Sequence, residues 1–343
     1  MVTGRSWDLR PFVSWINEVF LPEAKAGPGI AEYGQSPGST RPGLYGTADA
    51  ACILYTVDRL DELRPAEVWL REIGRYQDCR SGYFVDDTPV LATAHNTGFA
   101  VGALQLFCPE LHNGVLPKHR LSFAEAMRDT SWCERFFDVL DWRSRCYEAG
   151  EIVTGLASTV YNVSGLVERH WFQWLVDYVE NGKLDPATGM VGIGKPSTGD
   201  LDQIGGTFHF DFLWAALDRT LGHPQERAEA LLGLQRSDGL WDEHNPWWLT
   251  FDAVYMLGRA LLHLDDDLAE RTRRAVGRAV DVLVARALDS GQRERDFVDS
   301  WMGTHTLTGA VSAFAHVQRH LFGTERVRTE RPLRPVLDRR PYI

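Results

Sequence analysis

YQDCRSGYFVDDTPVLATAHNTGFAVGALQLF, residues 76–107, decides the fold. Its first residues close a charged, amphipathic segment. A turn with Gly82 and two aromatic residues follows, then a polar cluster, then a run from Thr93 made almost wholly of small and apolar residues. A helix that is apolar all round has no face for water and must be buried. The charged helix before it is the natural cover, because a buried layer needs an amphipathic one outside it.

The same alternation extends outward in both directions. Small-residue apolar segments begin near residues 45, 93, 153, 206, 249 and 301. Charged amphipathic segments lie between them, at 9–20, 66–77, 122–141, 169–182, 224–235 and 265–289. Strand signals are almost absent. The spacing of the apolar segments, roughly 43 to 60 residues, is near the period of helical-pair repeats. One helical hairpin cannot bury its inner helix, whereas six closed into a ring can. The reading is an all-α chain, an (α/α)6 toroid of six inner and six outer helices, spanning about residues 5–325 as a single domain. The loop at 22–43 is rich in Gly, Pro and Ser and long for a compact domain, so it reads as a lid or rim loop. The basic tail at 326–343 is expected to run back over the surface and pin its last apolar residues to the body.

Composition narrows the function. The 343 residues carry a formal charge of −11, which disfavours nucleic acid or an anionic membrane as partner. No apolar run approaches the roughly 18 residues of a membrane span. Cys52, Cys79, Cys108, Cys133 and Cys146 are odd in number and form no CxxC pair, so free thiols in a reducing cytoplasm are expected. The first twenty residues lack the pattern of a signal peptide. The Asn162-Val-Ser164 glycosylation pattern has no meaning in that compartment.

Two turn-and-helix units carry a resemblance. Gln77…Gly82-Tyr83-Phe84-Val85-Asp86 and Gln235-Arg236-Ser237-Asp238-Gly239-Leu240-Trp241-Asp242 resemble the repeats of the terpenoid cyclase and protein prenyltransferase superfamily. The unit around Gly189 matches in part, without the Gln. The resemblance implies the α/α ring, which several carbohydrate-active families also use. Phe84-Val85-Asp86-Asp87-Thr88 is similar to the Asp-x-Asp-Asp-Thr motif of class II terpenoid cyclases, whose middle Asp protonates an alkene or epoxide. The resemblance gives that role to Asp86, with Phe84 standing where the motif has its first Asp. Asp265-Asp266-Asp267 opens an outer helix and reads as capping. Asp49 and Cys52 share a helix face but have no third ligand, so neither a metal nor another cofactor is expected.

Polar residues gather where the inner helices are expected to start. They are Tyr45, Thr47 and Asp49; Thr93, His95, Asn96 and Thr97; Tyr161 and Asn162; His209 and Asp211; Thr250 and Asp252; and Asp299, Trp301 and His305. In a ring of parallel inner helices these starts converge on one mouth, and a few polar groups above an apolar body make a binding site. Asp, Asn and Thr also favour helix starts simply as caps, and a buried His can be a satisfied core residue. The coincidence favours chemistry, since five of the six inner helices begin with an ionisable side chain. Asp86, Asp87, His95, His209 and Asp211 are the candidate catalytic residues. Tyr45, Asp49, Asn96, Tyr161, Trp248, Asp252, Asp299, Trp301 and His305 are the candidate substrate-binding residues.

Adjacent Asp86 and Asp87 would raise one carboxyl, and burial against Tyr83 and Phe84 would raise it further. Such an acid can donate a proton while a His on the opposite wall accepts one. The expected activity is protonation-initiated cyclisation, isomerisation or elimination on a small, isoprenoid-like apolar substrate. One alternative is a glycoside hydrolase, lyase or epimerase, with carboxylates about 5–10 Å apart for hydrolysis. Another is a toroid that binds a ligand or partner without catalysis.

Overall fold

The computed structural model describes residues 5–86, 93–107, 118–163, 165–192, 201–244 and 246–342. In chain order its main helices are α1 (Arg10–Trp15), α2 (Leu44–Thr56), α3 (Ala66–Gly74), α4 (Thr93–Phe107), α5 (Thr130–Asp138) and α6 (Cys146–Asn162). They continue with α7 (Arg169–Gly182), α8 (Leu201–Ala216), α9 (Pro224–Leu234), α10 (Trp248–Ala260), α11 (Asp266–Leu288) and α12 (Gly303–His316). Even-numbered helices are the small-residue apolar segments and odd-numbered ones the charged segments, as the sequence predicts. No described helix is long and apolar enough to cross a membrane. The chain divides into two compact units, Met1–Ile73 with Leu231–Arg339, and Gly74–Ala230 with Arg340–Ile343.

In the second unit α4, α6 and α8 lie side by side, and small residues set how close they come. A β-carbon on Gly155 would stand 2.5 Å from the Ala94 carbonyl oxygen, and one on Gly150 would stand 2.7 Å from that of Gly206. Only glycine permits such backbone approach. Early residues meet early residues, and the far ends also meet. Gln105 Nε2 donates to Asn162 O at 2.9 Å, and Tyr161 Oη donates to Ala216 O at 2.7 Å. The three helices therefore run parallel, and their first turns share one end.

The first unit repeats this arrangement with α2, α12 and α10. Asp49 meets His305, Trp248 lies on His305, and farther along Tyr255 meets His316. The loop at 22–43 is a rim pinned to these helix starts. Thr304 donates its N–H to Gln35 O and its Oγ1 hydrogen to Gly34 O, both at 2.9 Å.

From the sequence, Trp15, Trp69, Trp132, Trp142, Trp171 and Trp174 read as outer-helix residues packing between layers; Trp69, Trp142 and Trp171 are buried, and Trp15, Trp132 and Trp174 are half-buried. Trp69 is fully buried and stacks on Tyr33, while Trp142 stacks on Phe210 of α8. Buried indole N–H groups need acceptors. Trp142 Nε1 finds Phe137 O at 2.7 Å, and Trp247 Nε1 finds Asp296 at 3.0 Å. Asp265 caps α11, accepting from Leu268 N.

The repeated turns are braced by side chains. Gly82 and Gly239 have φ of 77° and 96°, a region open to glycine at little steric cost. Gln77 Nε2 donates to Gly82 O and to His119 O, both at 2.8 Å. Gln235 Nε2 donates to Gly239 O at 2.8 Å and Ala275 O at 2.9 Å. The unit around Gly189 lacks the Gln, and buried Arg227 braces it instead, donating to Gly189 O at 3.1 Å and Gly222 O at 2.7 Å.

Two expectations need correction. The inner helix read from residue 153 begins at Cys146, because Glu148 and Glu151 disguised its first turns as polar connector. Tyr161 and Asn162 therefore sit at its far end and not near its start. The tail pins its last apolar residues to the body as expected, but it carries the charged Arg340 inward with them. Val327–Arg328 pairs in parallel with Trp7–Asp8 in the first unit. Arg340 and Tyr342 are 1% and 0% exposed among the inner helices of the second, in space that Gly102 leaves open.

Candidate functional site

In the first unit, Asp49 sits mid-helix on α2 with its carboxylate fully buried. His305, near the start of α12, places Nδ1 at 3.1 and 3.2 Å from the two carboxylate oxygens. A carboxylate only accepts, so Nδ1 carries the hydrogen, and in the neutral ring Nε2 holds the lone pair. The Trp248 ring lies 4.5 Å from the imidazole, centroid to centroid, and the Tyr45 ring meets its edge at 5.2 Å. A β-carbon on Gly309 would come within 2.9 Å of that indole, so the glycine makes room for it. His305 keeps 13% of its side chain accessible.

Asp252 lies four residues after Trp248 on α10 and therefore on the same helix face. Burial pushes its carboxyl well above the usual range. Its Oδ1, Thr47 Oγ1, Thr250 Oγ1 and Trp248 Nε1 are buried without a hydrogen-bond partner among the described residues. Native interiors leave few such atoms, and four on α2 and α10, the two helices that flank α12, suit a ligand that brings its own hydroxyls.

The second unit holds another cluster. His95 Nε2 on α4 stands 3.6 Å from Glu151 Oε1 on α6, beyond hydrogen-bond length. Burial first, and the Glu148 charge second, push Glu151 up to about 8. At neutral pH the contact is thus a carboxylic acid facing an imidazole and not an ion pair. His209 on α8 has its Nδ1 2.7 Å from Gly205 O. A carbonyl only accepts, so Nδ1 is protonated and Nε2 is the basic nitrogen. Burial depresses His209 to about 4 despite that bond, so the ring is neutral at pH 7. Its neighbours are Tyr147, Phe208, Phe212 and Tyr342.

The other candidates lie as follows. Asp86 is half-exposed on the turn after the Gln77–Phe84 bridge, with Tyr83 stacked on Phe123 at 4.8 Å. Asp87 lies outside the described residues. Asp211 and Asn96 are buried on α8 and α4. Tyr161 is committed to Ala216 O. Asp299 and Trp301 are exposed ahead of α12, Trp301 by 56%. Thr97 and Thr207 are braces, since Thr97 Oγ1 accepts from Phe84 N and Thr207 Oγ1 from Val191 N, both at 3.0 Å.

Sequence reasoning missed Glu151, Arg340 and the place where Tyr342 docks. Glu151 had a signal, a lone charge within the apolar run AGEIVTGLAS. The tail was expected to pin its last apolar residues to the body, but the burial of Arg340 and the neighbours of Tyr342 depend on contacts far away in sequence. Among the described residues, no three His, Cys, Asp or Glu side chains converge as a metal would require. Comparison with protein-family models, curated proteins and solved structures gave no match.

Proposed function

We propose that this chain is an acid–base enzyme acting on a hydroxyl-bearing, sugar-like small molecule, and that its two sets of three parallel inner helices complete one (α/α)6 toroid. The observation that carries the reading is the Asp49–His305 pair beneath Trp248. Asp49 holds Nδ1–H, so the Nε2 lone pair of His305 takes a proton from the substrate, and the imidazolium that forms rests against the buried carboxylate. Asp252, whose carboxyl burial raises, is the proton donor from the same helix face as the Trp248 platform. The unpartnered Thr47, Thr250, Asp252 and Trp248 atoms favour a substrate with several hydroxyls over a hydrocarbon. Exposed Trp301 offers a second platform at the approach to α12.

A second reading keeps an isoprenoid-like substrate, with Asp86 as donor in line with the cyclase motif. Its support is the set of aromatic rings around His209, which suit a cationic intermediate.

The test is a panel of glycosides, uronides and prenyl substrates followed by mass spectrometry with wild type, His305→Gln and Asp252→Asn. The reading expects a glycoside or uronide to be consumed, with each variant slowed about 10²-fold or more and the melting temperature held or, for Asp252→Asn, raised. Consumption of prenyl substrates alone would transfer the case to the second reading. Wild-type rates in both variants would remove the His305–Asp252 mechanism.

A further inference from the structure

We propose that residues 340–342, Arg-Pro-Tyr, are an autoinhibitory plug that occupies the His95–Glu151–His209 cluster and withdraws to open it. The inference is independent of the reaction assigned above. The Tyr342 ring is fully buried, with its centroid 5.1 Å from His95, 5.9 Å from His209 and 5.5 Å from Phe212. Its hydroxyl lies 3.4 Å from the Glu151 carbonyl oxygen. Pro341 O accepts from Asn162 Nδ2 at 3.1 Å. Arg340 lies over the Phe99 ring and donates to Tyr342 O, within its own segment. A hydroxylated ring thus fills the space beside both imidazoles, as a ring-shaped ligand would.

Two features mark the segment as able to leave. Tyr342 has φ of 136°, a strained conformation that L-residues rarely adopt. Arg339, immediately before the plug, is exposed and can serve as its hinge.

The structure also supplies a way to evict the plug without altering it. A β-carbon at Gly102 would come 2.0 Å from Arg340 Nη1, and the three nearest atoms all belong to Arg340. Gly102→Ala therefore displaces the Arg340 side chain, which anchors the plug, while favouring the α4 helix. Tyr342→Ala removes the ring with no change to any helix. The readout is carbethoxylation of histidines by diethyl pyrocarbonate, located by mass spectrometry, in wild type and both variants. His170, with a 70% exposed side chain, is the fast reference, and His316, buried in the other unit, is the control for general loosening.

The proposal expects His95 and His209 to react at least about tenfold faster in both variants, with His316 unchanged and the melting transition intact. Unchanged rates at His95 and His209 in either folded variant would overturn it. So would acceleration of His316 in step with them, since the segment would then be a structural staple of the whole fold.

Discussion

Glu151 is a carboxyl group set in a wall of helices, and its burial makes stability depend on pH. Its folded value, about 8, lies above the ordinary 4.5. Between those values the unfolded chain has released a proton that the folded chain keeps. Its contribution is therefore lost as pH rises from about 4.5 to about 8. His209 has the opposite sign. Its folded value near 4 lies below the ordinary 6.5, so stability is lost as pH falls from about 6.5 toward 4. Glu151→Gln cannot ionise. Relative to wild type it should gain on the order of 1–3 kcal/mol at pH 8 and nothing at pH 4, read from urea midpoints. Parallel pH profiles for the two proteins would mean that Glu151 is not held neutral.

At the scale of elements, identical substitutions should have opposite signs. Gly155 on α6 faces backbone, with its hypothetical β-carbon 2.5 Å from Ala94 O and 3.0 Å from His95 N. No side-chain rotation relieves that, so Gly155→Ala must push α4 and α6 apart at a cost of about 1–3 kcal/mol or more. Gly277 on α11 has nothing within 4 Å of the same position. Gly277→Ala should raise stability by up to about 1 kcal/mol, because alanine has the better helix propensity. Chemical denaturation of the two variants decides this, and equal effects would contradict the packing described. The inner helices were legible because a run of Gly, Ala, Ser and Thr with almost no charge admits one reading. The start of α6 was not, because Glu148 and Glu151 look like solvent-facing residues until neighbouring helices are known to cover Glu151.

At the scale of the molecule, burial ranks the helices. In α2, α4 and α8 almost every residue is buried, whereas α9 and α11 alternate between covered and exposed positions. Amide exchange should therefore be slowest in α2, α4 and α8, and faster in α9 and the outer face of α11. Mass-spectrometric exchange finding α9 as protected as α4 would refute that ranking. The alternation of helix types and Asp49, Asp252 and His305 could be read from the chain. The His305 partner, the raised Asp252 carboxyl and the place where Tyr342 docks could not, since each depends on residues hundreds of positions away or on a local dielectric. Gln77 and Gln235 each tie a turn glycine to a carbonyl 42 or 40 residues downstream. Arg227 makes a similar tie from the downstream end, 38 residues after Gly189. The repeated feature is thus a bridge between two points, and either abutment can carry the donor. Internal repetition of this kind is invisible to a pattern written for one abutment, because the later cation or amide that reaches back to each turn stands at no fixed place in the unit.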